Sequence, residues 1–171
     1  MAKAKPIRTP RDEGQITSAK LADTVRSVLK RVRVDRRWDI PYLAGYSRAG
    51  RTIYIDRHLP RTFRYQGRRI RIDPFLILHE AVEIALLDKL DLSYHDAHTI
   101  SLLTERAAVE AAGIPWKKYQ ALMAEHIKLA ESKRLRRVPP RLNLTPYLDE
   151  KDLALLHKML PLMYKDWGRE K

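Results

Sequence analysis

The sequence predicts an α+β fold: a small antiparallel sheet, made of hairpins over about residues 42–72, packed on a buried helix over about 74–90 and followed by further helices. Three observations carry this expectation. Between residues 42 and 72, short runs rich in Ile, Tyr and Thr are separated by Gly-containing turns, the pattern of strands in hairpins. From Pro74 to Leu90 the chain is apolar on nearly every side, as a helix at the centre of a core would be. From Ser93 onward, capping residues and a period near 3.6 mark further helices.

The elements follow in order. Residues 1–15 hold two prolines and few apolar side chains and read as a flexible basic arm, leaving residues 16–171 as a single domain with a C-terminal helical extension. Thr17 or Ser18 can cap a helix reaching about Val32, with Leu21, Val25, Val28 and Leu29 on one face. Residues 42–46, the turn Ser47-Arg48-Ala49-Gly50 and residues 51–56 read as a first hairpin, with Ile53 and Ile55 pointing to one side and Tyr54 to the other. A second follows: residues 62–65, a Gln66-Gly67 turn and residues 68–72, whose Arg/Ile alternation gives one buried and one wet face.

Asp73 as N-cap and Pro74 at the first helical position open the central helix. Ser93, with Asp96 three residues on, opens the next in the manner of a capping box; that helix ends at Ala112, with Gly113 past its end. A helix over about 116–132, a basic proline-stiffened connector over 133–141 and a last helix over about 149–164 complete the chain.

Composition bounds the function. With no cysteine, thiolate metal sites, disulfides and cysteine nucleophiles are excluded, so any metal must be held by His, Asp or Glu. No apolar run is long enough for a membrane span, and no apolar segment follows the basic N-terminus, so a cytoplasmic location is the expectation. The 171 residues include 34 Lys plus Arg against 21 Asp plus Glu, a net charge of +13 that attracts polyanions. The basic stretches 57–71 and 133–141, interleaved with Phe63, Tyr65 and prolines, suit contact with nucleic acid or an acidic partner.

The chemistry is concentrated in His79-Glu80-Ala81-Val82-Glu83, flanked by Phe75-Leu76-Ile77-Leu78 and Ile84-Ala85-Leu86-Leu87. Buried charge must be paired or bound to a metal. His79 and Glu83 are four residues apart, so they project from one helix face and can grip one ion, with Glu80 in reach of a water on it. The following helix offers His95, His98 and Glu105; His98, Leu102, Glu105 and Val109 share a face. The alternative is structural: a His79–Glu83 pair, or Glu80 and Glu83 paired with arginines of the basic hairpin.

A strand of the type Thr52-Ile53-Tyr54-Ile55-Asp56, then a helix carrying Leu78-His79-Glu80-x-x-Glu83, then a second helix with a further ligand, resembles the zincin-type metallopeptidases of the gluzincin kind over about residues 40–112. Those proteins carry H-E-x-x-H, with two zinc-binding His, a Glu that activates water and a downstream ligand. The resemblance implies His79 as first ligand, Glu80 as general base, Glu83 in the place of the second His, and His98, Glu105 or His95 as the remaining ligand. Two imidazoles and a carboxylate suit zinc or another divalent transition metal. Tyr94 or Tyr54 is then a candidate donor to the oxyanion of a peptide or protein substrate. That substrate would be held by strand addition near Thr52 to Asp56. The competing expectation is a non-catalytic basic binding protein on the same scaffold.

Overall fold

A computed structural model of the chain describes residues 18–132 and 135–165; the expected basic arm, and Thr17 as a cap, lie outside the described residues. The architecture is α+β. The order is α1 (Ser18–Arg31), β1 (Arg33–Asp35), β2 (Ala44–Tyr46), β3 (Thr52–Ile55), β4 (Thr62–Tyr65), β5 (Arg68–Arg71), α2 (Asp73–Ile84), α3 (Tyr94–Ala111), α4 (Trp116–Ser132), α5 (Thr145–Asp149) and α6 (Leu153–Lys165).

The single antiparallel sheet that was expected is corrected. The two hairpins lie in separate sheets, and the larger is mixed: β1 pairs parallel with β3, which pairs antiparallel with β2, in the order β1-β3-β2. The expected docking strand, Thr52 to Asp56, is therefore the central strand, and β2 is the edge that borders the cavity described below. Gln66 (φ 47°) and Gly67 (φ 74°) both take left-handed backbone, the turn whose twist matches a two-residue hairpin between β4 and β5. Ile70 is buried and Arg69 and Arg71 are exposed, as the alternation predicts, while Arg68, on the Ile70 face, is exposed at the start of the strand.

Both faces of β3 are covered. Ile53 and Ile55 pack with Val25 and Val28 of α1 and with Leu76, Val82 and Ile84 of α2. Tyr54 packs on the other side, with Trp38, Val138, Leu155 and Met159. Leu29 turns outward instead of joining the apolar face of α1. The basic connector is not a free linker: Val138 is fully buried, and the Arg48 and Asn143 N–H groups bond the Arg141 and Tyr46 carbonyls at 2.8 Å each.

α2 is the buried centre, as its all-round apolarity demands. Its start is one residue earlier than predicted. Ile72 is the cap, and Asp73 is already helical because its carboxylate is occupied by the Arg36 guanidinium at 2.5 Å. Arg36 also donates to the Leu59 carbonyl, tying the exit of β1 to the entry of α2. Past Ile84 the helix widens into a π-turn, Ala85–Lys89, and Asp91 (φ 56°) ends it. Ser93 caps α3 by accepting the Asp96 N–H at 3.2 Å, and α3 lies along α2. The last helix expected over about 149–164 is α6, which begins at Leu153 where Asp152 accepts the Leu155 N–H at 3.1 Å; an unforeseen short helix, α5, precedes it, and Lys151 (φ 56°) separates the two.

Candidate metal centre

His79, Glu80 and Glu83 are all buried in α2, at 8%, 7% and 3% exposure. They sit on the side of α2 that faces α3 and the cavity beside it. Opposite them α3 supplies His98 and Glu105.

The atoms converge. Glu83 Oε2 lies 3.7 Å from His79 Nε2 and 3.2 Å from His98 Nδ1, and the ligand atoms of the three residues fall within 4.8 Å of one another. Ligands about 2.1 Å from a tetrahedral ion stand roughly 3.4 Å apart. Two imidazoles and a carboxylate at these separations therefore fit a divalent transition ion, with one position left over. The group can hold a metal ion; the donor set does not name which.

Glu105 has another place. Its Oε2 lies 2.9 Å from His79 Nδ1, and its Oε1 accepts the Tyr119 hydroxyl at 2.6 Å. Glu105 thus stands behind His79 and orients it, fixing the Nδ1 edge so that Nε2 faces Glu83 and His98. His95 is exposed on α3 and does not join the group. Tyr94 stacks on the His98 ring, with centroids 5.5 Å apart at 24°. Tyr54 packs in the cluster on the far side of β3.

Protonation follows the packing. Burial opposes an imidazolium at His79, but Glu105 and Glu83 outweigh it and push its pKa up to about 10. Burial also works against the Glu83 carboxylate, yet His79 and His98 hold it below the ordinary range. Glu80 differs: burial, and then the charge of Glu83, push it up to about 8 despite His79. Among the described residues Glu80 makes no hydrogen bond or ion pair, and neither it nor Glu83 pairs with an arginine of the basic hairpin. Burial, Glu83, Glu150 and Glu80 hold the Tyr94 hydroxyl well above its ordinary value.

The group lines a cavity of about 580 Å³. Glu80, Tyr94 and Leu43–Ala44–Gly45 of the β2 edge border it on one side, Trp116 and Tyr119 of α4 and Pro146 and Tyr147 of α5 on the other. Leu43 takes φ 70°, a conformation leucine rarely adopts, at the head of β2. Sequence reasoning missed Tyr119 of α4, whose hydroxyl donates to Glu105. It also missed the α5 wall, which reaches the site from more than 60 residues downstream of Glu80. Comparison of the chain with protein families, curated proteins and solved structures finds no match, so the reading of this centre rests on its own geometry.

Proposed function

We propose that the chain is a metal-dependent hydrolase that cleaves peptide bonds, holding a divalent ion on His79, Glu83 and His98. One observation carries the reading: the three ligands converge on a cavity into which Glu80 presents a buried carboxyl group without a partner. The resemblance to zincin-type metallopeptidases supports it, with a permuted ligand set of two imidazoles and one carboxylate. Zinc suits that set, and the protein would use it as its cofactor.

An ion on these residues supplies a Lewis acid that polarises the scissile carbonyl and acidifies water. The residues do the rest. Glu80 accepts a proton from the attacking water as its oxygen bonds the carbonyl carbon. It then returns that proton to the amine nitrogen as the C–N bond breaks. Glu80 lines the same cavity as the three ligands, where a group that takes and returns a proton is needed. Tyr94, kept protonated, donates a hydrogen bond to the developing oxyanion.

Substrate positioning falls to β2. Leu43 O accepts from Asp56 N and Ser47 N donates to Thr52 O, so by alternation the Gly45 backbone faces Tyr54 and that of Ala44 turns away from β3. An extended peptide can pair there at Ala44, ahead of Tyr46, whose carbonyl is taken by the Asn143 N–H.

The test is metal analysis of the purified protein together with hydrolysis of a quenched fluorescent peptide library. One ion per chain is expected, with Glu80→Gln keeping the ion and losing hydrolysis by about a hundredfold or more. Absence of stoichiometric metal, or undiminished hydrolysis in Glu80→Gln, overturns the proposal.

A further inference from the structure

The residues 57–72 contain six arginines and no acidic residue, and β4 and β5 place three of them on one surface. In the ladder Phe63 pairs with Ile70, Arg64 with Arg69 and Thr62 with Arg71. Paired residues, and residues two apart, share a face. One face therefore carries Phe63, Tyr65 and Ile70, which pack with Phe75, Ile114 and Tyr119. The other carries Thr62, Arg64, Arg69 and Arg71, with all three arginines exposed. Among the described residues, none of these three side chains makes an ion pair or a hydrogen bond.

That arrangement works against the ribbon by itself. Arg64 and Arg69 stand directly opposite each other, and like charges so placed repel. Among the described residues no carboxylate pairs with either, and each guanidinium offers a fork of five donors. Their spacing is regular: about 5 Å across the ladder and about 7 Å from Arg69 to Arg71 along the strand. This is the scale on which phosphates follow one another in a nucleic-acid backbone. The face has no apolar side chain to enter a lipid surface. At the tip, a side chain added at Gly67 would meet nothing within 4 Å, so the ribbon end is narrow and open.

We propose that the β4–β5 ribbon is a docking surface for double-stranded nucleic acid, with Arg64, Arg69 and Arg71 gripping backbone phosphates. A two-stranded ribbon fits a major groove, and guanidinium forks match phosphate oxygens. The contact is with phosphates, so it is indifferent to sequence and sensitive to salt. It is independent of the metal centre, whose ligands lie on other elements.

The experiment follows anisotropy of a labelled duplex of ~25 bp between about 50 and 200 mM salt. The triple variant Arg64→Gln, Arg69→Gln, Arg71→Gln is compared with Lys117→Gln, Lys118→Gln, Lys128→Gln on α4, which removes the same charge from exposed positions. The wild type is expected to bind with a log-affinity that falls linearly with log salt. The ribbon variant should be shallower by about 2 to 3 in slope, and the α4 variant should track the wild type. Thermal unfolding checks that both stay folded; if the triple ribbon variant does not, each single change should lower the slope by about 0.9. No duplex binding by the wild type overturns the proposal, as does equal loss in both variants. Ribbon-dependent binding to anionic vesicles or to an acidic protein in place of the duplex also overturns it.

Discussion

Glu105 holds His79: its Oε2 lies 2.9 Å from His79 Nδ1, while its Oε1 takes the Tyr119 hydroxyl at 2.6 Å. A metal-binding imidazole oriented in this way loses affinity when its support is removed, by about 10- to 100-fold. Glu105→Gln is expected to weaken binding of a divalent metal ion by that factor with His79, Glu83 and His98 all present. Tyr119→Phe should act in the same direction and less strongly, since it leaves the carboxylate in place. Competition against a chelating dye measures both.

The two histidines should part company in stability. His79 is buried against Glu105, and His79→Ala strands that carboxylate with only Tyr119 as partner, at about 2–4 kcal/mol. The His98 side chain is 40% exposed, and His98→Ala leaves buried Glu83 with His79 beside it, so the loss should be smaller, about 1–2 kcal/mol. Both should abolish tight metal binding. Urea unfolding of the metal-free proteins separates the two roles.

Asp39 predicts an acid limb to stability. Burial would raise its carboxyl, but the Arg136 and Arg137 N–H groups at 2.9 Å and the Arg57 guanidinium at 2.6 Å outweigh that and hold it below 3.8. The folded pKa is the lower one, so this stability is complete well above 3.8 and is lost as pH falls through the folded value. Asp39→Ala should cost on the order of 2–4 kcal/mol at neutral pH and flatten the limb. Thermal melts from pH 7 to pH 3 read both effects.

Gly50 (φ 60°) closes the turn between β2 and β3 against the end of α2. A Cβ there would sit 2.9 Å from Asp88 Oδ2 and 3.2 Å from Ile84 Cγ2. The exposed Asp88 can swing aside, while buried Ile84 must shift slightly. Gly50→Ala is therefore expected to destabilise mainly through its left-handed backbone, by about 1–2 kcal/mol, as a lower urea midpoint with unchanged slope.

Much of this molecule is written locally. Ser93 caps α3 and Gln66-Gly67 turns the second hairpin because those signals act over two to four residues. His79, Glu83 and His98 were legible as a group because polar side chains in an apolar helix must find partners, and α3 offers them at matching spacing. The rest depends on distant contacts. β1 is three residues, Arg33-Val34-Asp35, with Val34 45% exposed, so no alternation announces it; it exists because β3 offers an edge. The spacing offers Glu105 as a ligand, and it is the contacts with His79 Nδ1 and with Tyr119, on another helix, that put it behind the group instead. The split between α5 and α6 rests on one lysine in left-handed backbone.

The π-turn at Ala85–Lys89 has a consequence for how the centre tolerates change. A π-turn holds one residue more than an α-turn, so the chain beyond it is rotated by about 100° relative to a straight helix. His79 and Glu83 precede that phase correction and His98 follows it. Deleting one residue between Ala85 and Lys89 would leave every ligand and nearly all the hydropathy in place, yet would turn the exit toward α3 by about a quarter turn. Length, more than identity, is what this segment guards: a one-residue indel there reaches the ion-binding group although no ligand stands within it.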